Sequence, residues 1–152
     1  MEVFRISKKE YSAPDGIGGL YYPGRWHEVG HRVVYTSQFK SLAALEYLVH
    51  LSNSGLLKSG FVITTIFIPD NVLSDHIGYE MLGTKWTDHH NIIVTRKLGT
   101  NFLEKAESLL LKGPSAIVPE EYNFIINPVL PDFKFCKVTN SKPFDFDFRL
   151  GK

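Results

Sequence analysis

The sequence has a single cysteine, Cys136, so no disulfide can close within the chain. That excludes covalent staples and sets a reducing, intracellular compartment as the default. No apolar run approaches the roughly 20 residues that span a bilayer. The N-terminus lacks the basic segment and apolar run of a signal peptide. Charge of one sign is also scarce: 17 Lys and Arg against 16 Asp and Glu leave a net +1. Such balance offers no broad electrostatic footprint for nucleic acid or for an anionic membrane. Repeats, low-complexity tracts and dividing linkers are missing as well. The expectation is one soluble, cytoplasmic domain over residues 1–152, whose 43% hydrophobic residues suffice for a core.

What is present centres on the stretch from Gly24 to Asn53. It reads as a glycine-flanked loop carrying Arg25, a strand over Arg32–Thr36, and a helix from Ser41, with Ser41 as N-cap, to Asn53. Leu42, Leu45, Leu48, Val49 and Leu51 make that helix apolar in nearly every direction. Its polar exceptions, Glu46, His50 and Asn53, recur at i, i+4 and i+7 and form one narrow stripe. A core helix with one acidic stripe aims it at solvent or at a polar cavity.

Around this stretch, Met1–Ser7 reads as a first strand. Tyr11–Gly24 holds four of the twelve glycines with Pro14 and Pro23, which forbids regular structure and permits close backbone approach to a ligand. Gly55 and Gly60 flank a break, and the β-branched run Phe61–Ile68 is a central strand ended by Pro69. A short helix is expected near Leu73–Ile77, then a loop through Trp86. Asp88–Lys97 reads as strand or extended chain leading to a helix over Thr100–Leu111 capped by Thr100. Ser115–Val118, Asn123–Asn127, Lys134–Val138 and Phe144–Phe148 read as strands. Strands outnumber helices in irregular order, which gives an α+β class with a mixed or antiparallel sheet and a few helices.

Several residues carry two readings. Arg5, inside an apolar strand, is either an edge arginine whose stem packs or a phosphate clamp that grips two oxygens at once. Arg25 is either a loop residue stacked on Trp26 or a contact to phosphate or ribose. Glu46 is either solvated, or paired with His50, or a fixed carboxylate in a site. Tyr35 fits a core aromatic as well as a ring at a cavity edge. Ser115, after Gly113-Pro114, is by type a turn residue. Asn123 and Asn127 bracket an apolar strand, where one of them can hold site backbone in place. His89-His90 and His27, Glu28 and His31 fall short of metal-ligand spacing. Gly16, Gly18 and Gly19 do not make a dinucleotide fingerprint, and Cys136 has no nucleophile motif around it.

Linked motifs add a resemblance. V-F-R-I, G-R-W with V-V-Y-T-S, S-L-A-A-L-E-Y-L-V-H, G-P-S-A-I-V-P-E-E-Y-N-F-I-I-N-P and the ending F-D-F-D-F-R-L together resemble the RES domain across essentially the whole chain. The arginine, glutamate and serine that name that family match Arg5, Glu46 and Ser115. The resemblance implies a toxin of a bacterial toxin–antitoxin pair, with a fold related to ADP-ribosyltransferases and NAD as substrate. On that footing Glu46 stabilises the cationic ribose that forms when the nicotinamide–ribose bond breaks. Arg5 and Arg25 bind phosphate or ribose, Tyr35 stacks on nicotinamide, and Ser115 and Asn123 serve the same site. No cofactor and no metal are implied. The partner is a helix-turn-helix antitoxin of the Xre type, and a homodimer stays open. Two departures stand out, P-G-R-W-H in place of G-G-R-W-N, and V-L-P-D in place of H-P-D.

The expected function is thus an NAD glycohydrolase, phosphorylase or ADP-ribosyltransferase. Competing with it are a ribonuclease-type toxin using His50 with Arg25, and a non-catalytic domain that binds a regulator.

Overall fold

A computed structural model describes residues 1–51 and 60–151. The expected Asn53 and Gly55 positions lie outside these residues. The described strands are β1 (Glu2–Lys8), β2 (Val34–Ser37), β3 (Phe61–Phe67), β4 (Ser74–His76), β5 (Leu110–Pro114), β6 (Tyr122–Ile126) and β7 (Lys137–Phe144). They form one sheet in the order β4-β5-β6-β2-β1-β3-β7. Only β4 and β5 run parallel among these pairs, the others being antiparallel. With helices α1 (Lys40–Val49) and α2 (Ile93–Lys105), this is the expected α+β arrangement with a mixed sheet.

The inner strands of the sheet are buried on both faces, and alternation along them explains how. Leu110, Phe124 and Ile126 join Val3, Val34 and Ile66 in one cluster, covered by Leu130 and Phe133. Their neighbours Leu111 and Ile125 point the other way, into a cluster with Trp26, Phe102 and Leu103 beneath α2. On that same side Ile6 and Ile63 pack with Ala43, Phe61 and Phe146 beneath α1. Leu42 of α1 is fully buried, which on area grounds is worth about 1.5–3 kcal/mol.

Several elements differ from expectation. Helix α1 begins at Lys40 and ends at Val49, and its N-cap is Phe39, which makes no side-chain cap bond. Ser41 therefore sits inside the first turn. The segment expected as a helix near Leu73–Ile77 is strand β4, because β5 offers its backbone: Leu109 N–H donates to the Leu73 carbonyl at 3.0 Å and Ile77 N–H to the Lys112 carbonyl at 2.9 Å. The second helix is shifted, so Thr100 lies in its interior and caps nothing, and Ala106 terminates it at φ +50°. Leu110 and Leu111, expected at the end of a helix, are in β5. Ser115–Val118 is a turn, and a single late strand, β7, stands where two were expected: Lys134 lies in a preceding 3-10 turn at Pro131–Phe135, and of Phe144–Phe148 only Phe144 belongs to β7. Pro143 is tolerated there because β7 is an edge strand.

Strand register sets the site. Ser37 of β2 stands opposite Asn123 of β6, and Asn123 stands opposite Gly113 of β5. Directly paired residues share a face, so the three lie in one row, with Ser115 just beyond the end of β5.

Candidate active site

A cavity of 830 Å³ opens between α1, the loop over residues 10–24 and the strands β1 and β2. The polar stripe of α1 faces it: Glu46 and His50 both line the wall, as does Tyr47 between them. The choice left open by periodicity is therefore resolved in favour of a cavity.

Glu46 is held in place by the row described above. Ser115 Oγ donates to Glu46 Oε1 at 3.0 Å, and Asn123 Nδ2 donates to the same oxygen. Ser37 Oγ in turn donates to Asn123 Oδ1 at 2.7 Å, which fixes the amide's orientation. Ser115 is itself locked, because its Oγ accepts the backbone N–H groups of Ile117 and Val118 at 3.0 and 3.1 Å. Such a turn uses up the hydroxyl's lone pairs and leaves its one proton for the carboxylate. Glu46 Oε2 takes part in no hydrogen bond among the described residues. One oxygen is pinned and the other stays available in the cavity.

Two guanidinium groups line the same space. Arg5 Nη1 donates to the carbonyls of Tyr11 and Ser12 at 2.9 and 3.5 Å. Arg25 Nη1 donates to the Trp86 carbonyl at 2.8 Å. Neither has a carboxylate within 4.0 Å among the described residues. Burial pulls the pKa of each below the ordinary arginine value, with Asp15 opposing this for Arg5 and Glu46 for Arg25. Each guanidinium carries five N–H donors, so both keep donors free for an anion.

Arg25 owes its aim to Trp26. That indole is buried against Gly113, where an added Cβ would stand 3.0 Å from the ring. At Gly99 of α2 a Cβ would collide with the Trp26 carbonyl. Arg96 Nε donates to the Gly24 carbonyl at 3.0 Å, and Thr100 Oγ1 accepts the Glu28 N–H at 2.9 Å. Helix α2 thus grips the turn that carries Arg25. Sequence reading took Trp26 only as a ring for Arg25 to stack on and missed Gly99, Arg96 and Ser37, because nothing local announces contacts made across 70 or more residues such as 24 to 96.

Tyr35 lines the cavity as well, its hydroxyl accepting the Trp26 N–H at 3.1 Å and meeting His27 Nδ1 at 2.8 Å. Burial raises its phenol pKa above the ordinary value. Ser115 is buried and is not among the lining residues, so it reaches the cavity only through Glu46. Asn127 lies elsewhere, donating to the Leu103 carbonyl at the end of α2. No group of three or more His, Cys, Asp or Glu side chains is placed to hold a metal among the described residues.

The RES domain model matches residues 2–148 of the chain. The chain belongs to the RES domain family. This RES chain is 37% identical to a Toxin Res of Photorhabdus laumondii, over all of its own length and 98% of the relative's. It is 34% identical to the Prs ADP-ribosylating toxin of a Sphingobium species, over 93% of its length and 90% of the relative's. Its fold matches a chain in the crystal structure of the M. tuberculosis MbcT–MbcA toxin–antitoxin complex, with a TM-score of 0.77 at 14% identity. That match covers 95% of this chain and 84% of the other. No described helix of the RES chain is long and apolar enough to cross a membrane.

Proposed function

We propose that this protein is a toxin that consumes NAD by breaking the bond between nicotinamide and its ribose. The observation that carries the reading is Glu46, pinned through one oxygen by Ser115 and Asn123 in a cavity walled by Arg5 and Arg25. When the bond breaks, its electron pair leaves with neutral nicotinamide and positive charge develops on the ribose. A carboxylate already fixed beside the sugar stabilises that charge in the transition state without reorganising. An acceptor oxygen then donates a pair to the sugar carbon and releases its proton. The two guanidinium groups hold the pyrophosphate, and the Tyr35 ring offers a face to the nicotinamide. The 34% identity to an ADP-ribosylating toxin supports an ADP-ribosyl transfer of this kind. Water, phosphate and a protein side chain are the acceptor classes that match the glycohydrolase, phosphorylase and transferase forms.

Incubating purified protein with NAD and a chelator, then separating products by chromatography, tests the reading. Loss of NAD with matching release of nicotinamide supports it, and unchanged NAD with folded protein sinks it.

The same reading includes a restraining antitoxin, a helix-turn-helix protein of the Xre type. An acidic or C-terminal carboxylate segment laid into the cavity would pair with Arg5 or Arg25 in place of the phosphates. Competition between NAD and the bound partner supports this, and binding indifferent to NAD removes it.

A further inference from the structure

His27 is 2% exposed, yet it borders the cavity and no step assigned above uses it. Its Nδ1 stands 2.8 Å from the Tyr35 hydroxyl, and the two rings are tilted at 52°. That hydroxyl already accepts the Trp26 N–H at 3.1 Å. A phenol has one proton to give. With a neutral imidazole whose Nδ1 bears a lone pair, that proton goes to His27 and is not spent on a ligand. Tyr35 then works as a strut between β2 and the turn. The turn is closed on itself by the Gly24 N–H donating to the His27 carbonyl at 3.0 Å. Gly24 has to be glycine for this packing, because a Cβ there would collide with the Tyr35 hydroxyl and stand 2.9 Å from His27 Nδ1. Arg25 is the residue enclosed between these fixed points.

We propose that His27 is a positioning residue for Arg25, acting through the Tyr35 hydroxyl to hold the Gly24–His27 turn so that the guanidinium stays aimed into the cavity. Helix α2 holds the outer side of this turn through Arg96 and Gly99, and His27 with Tyr35 holds the inner side. The imidazole is suited to accepting. Burial lowers its pKa first, and nearby His31 and Arg96 add to that. The carbonyls of Tyr22 and Gly19 oppose the shift, yet Nε2 finds no partner at hydrogen-bonding geometry.

The kinetic half of this inference rests on the NAD-consuming reading, and the structural half does not. Backbone amide exchange of Trp26, followed by NMR with the buried Ile125 amide as reference for global opening, reads the strut directly. His27→Leu removes the acceptor, Tyr35→Phe removes the hydroxyl, and His27→Asn keeps an acceptor atom at the δ position. Trp26 exchange is expected to speed up about five- to tenfold in the first two variants and to stay slow in His27→Asn. KM for NAD is expected to rise by a similar factor in His27→Leu, with kcat nearly unchanged and the rise reversed in His27→Asn. Made in an Arg25→Ala background, His27→Leu should add no further rise. Unchanged Trp26 exchange in His27→Leu overturns the proposal, as does a KM effect that persists in full without Arg25. Should His27→Leu fail to fold, His27→Met, which likewise lacks a strong acceptor, decides by the same exchange. If the wild-type protein leaves NAD intact, the proposed function falls, and Trp26 exchange alone still keeps or overturns the strut.

Discussion

Ser115 and Glu46 are joined by a 3.0 Å hydrogen bond although 69 residues separate them in the chain. Ser115 brings a hydroxyl already oriented by two backbone amides, so the proton it offers Glu46 has a fixed direction. Ser115→Ala leaves the Ile117 and Val118 amides without their acceptor and frees one side of the carboxylate. Buried groups left unpaired typically cost about 1–3 kcal/mol. We expect the variant to lose that much stability in denaturant titration and to lose turnover as well. Full turnover in a destabilised variant would reduce Ser115 to a turn residue.

Arg25 and Arg5 are expected to matter through binding. Arg25→Ala should raise KM for NAD by about ten- to hundredfold, the range of a hydrogen bond to a charged group. Arg25→Lys should recover only part of the loss, since an ammonium restores charge but not the planar fork. Steady-state kinetics on the two variants checks this, and equal rescue by lysine would mean that charge alone is used.

A pH dependence follows from His27. Its imidazole titrates below the ordinary 6.5 in the folded chain because burial disfavours the charged form. The unfolded chain, with the ordinary value, therefore binds more protons between the two. Stability is complete above 6.5 and falls as the pH drops towards the folded value. Melting temperatures recorded down this range should decline in the wild type and decline less in His27→Asn. Parallel profiles would show that His27 does not carry the effect.

What could be read from the sequence, and what could not, follows from the range of the interactions. The stripe of Glu46 and His50 was legible because helical periodicity places residues four apart on one face, and both do line the cavity. Strand β1 was legible from the weak alternation of Met1–Ser7, and β3 and β6 from apolar runs after Phe61 and Asn123. The run Ser108–Leu111 misled, since a short apolar run buried on both faces reads equally as helix or strand. Strand β4 was invisible because its three residues are exposed and form a strand only by pairing with β5. Arg96 falls in the stretch read as strand or extended chain and Gly99 just ahead of the expected helix, so neither stood out. Their role exists only once the fold brings them against the Arg25 turn.

The central claim is that a fixed Glu46 carboxylate supports cleavage at the nicotinamide–ribose bond. Proton NMR of NAD incubated with wild-type protein and with Glu46→Gln tests it most directly, because it shows which bond breaks. The two side chains are nearly equal in volume, so the fold is expected to survive. The account predicts free nicotinamide from the wild type and a rate lower by a factor of about 10² to 10³ in the variant. Intact NAD with the wild type, cleavage at the pyrophosphate, or an undiminished rate with Glu46→Gln would contradict it.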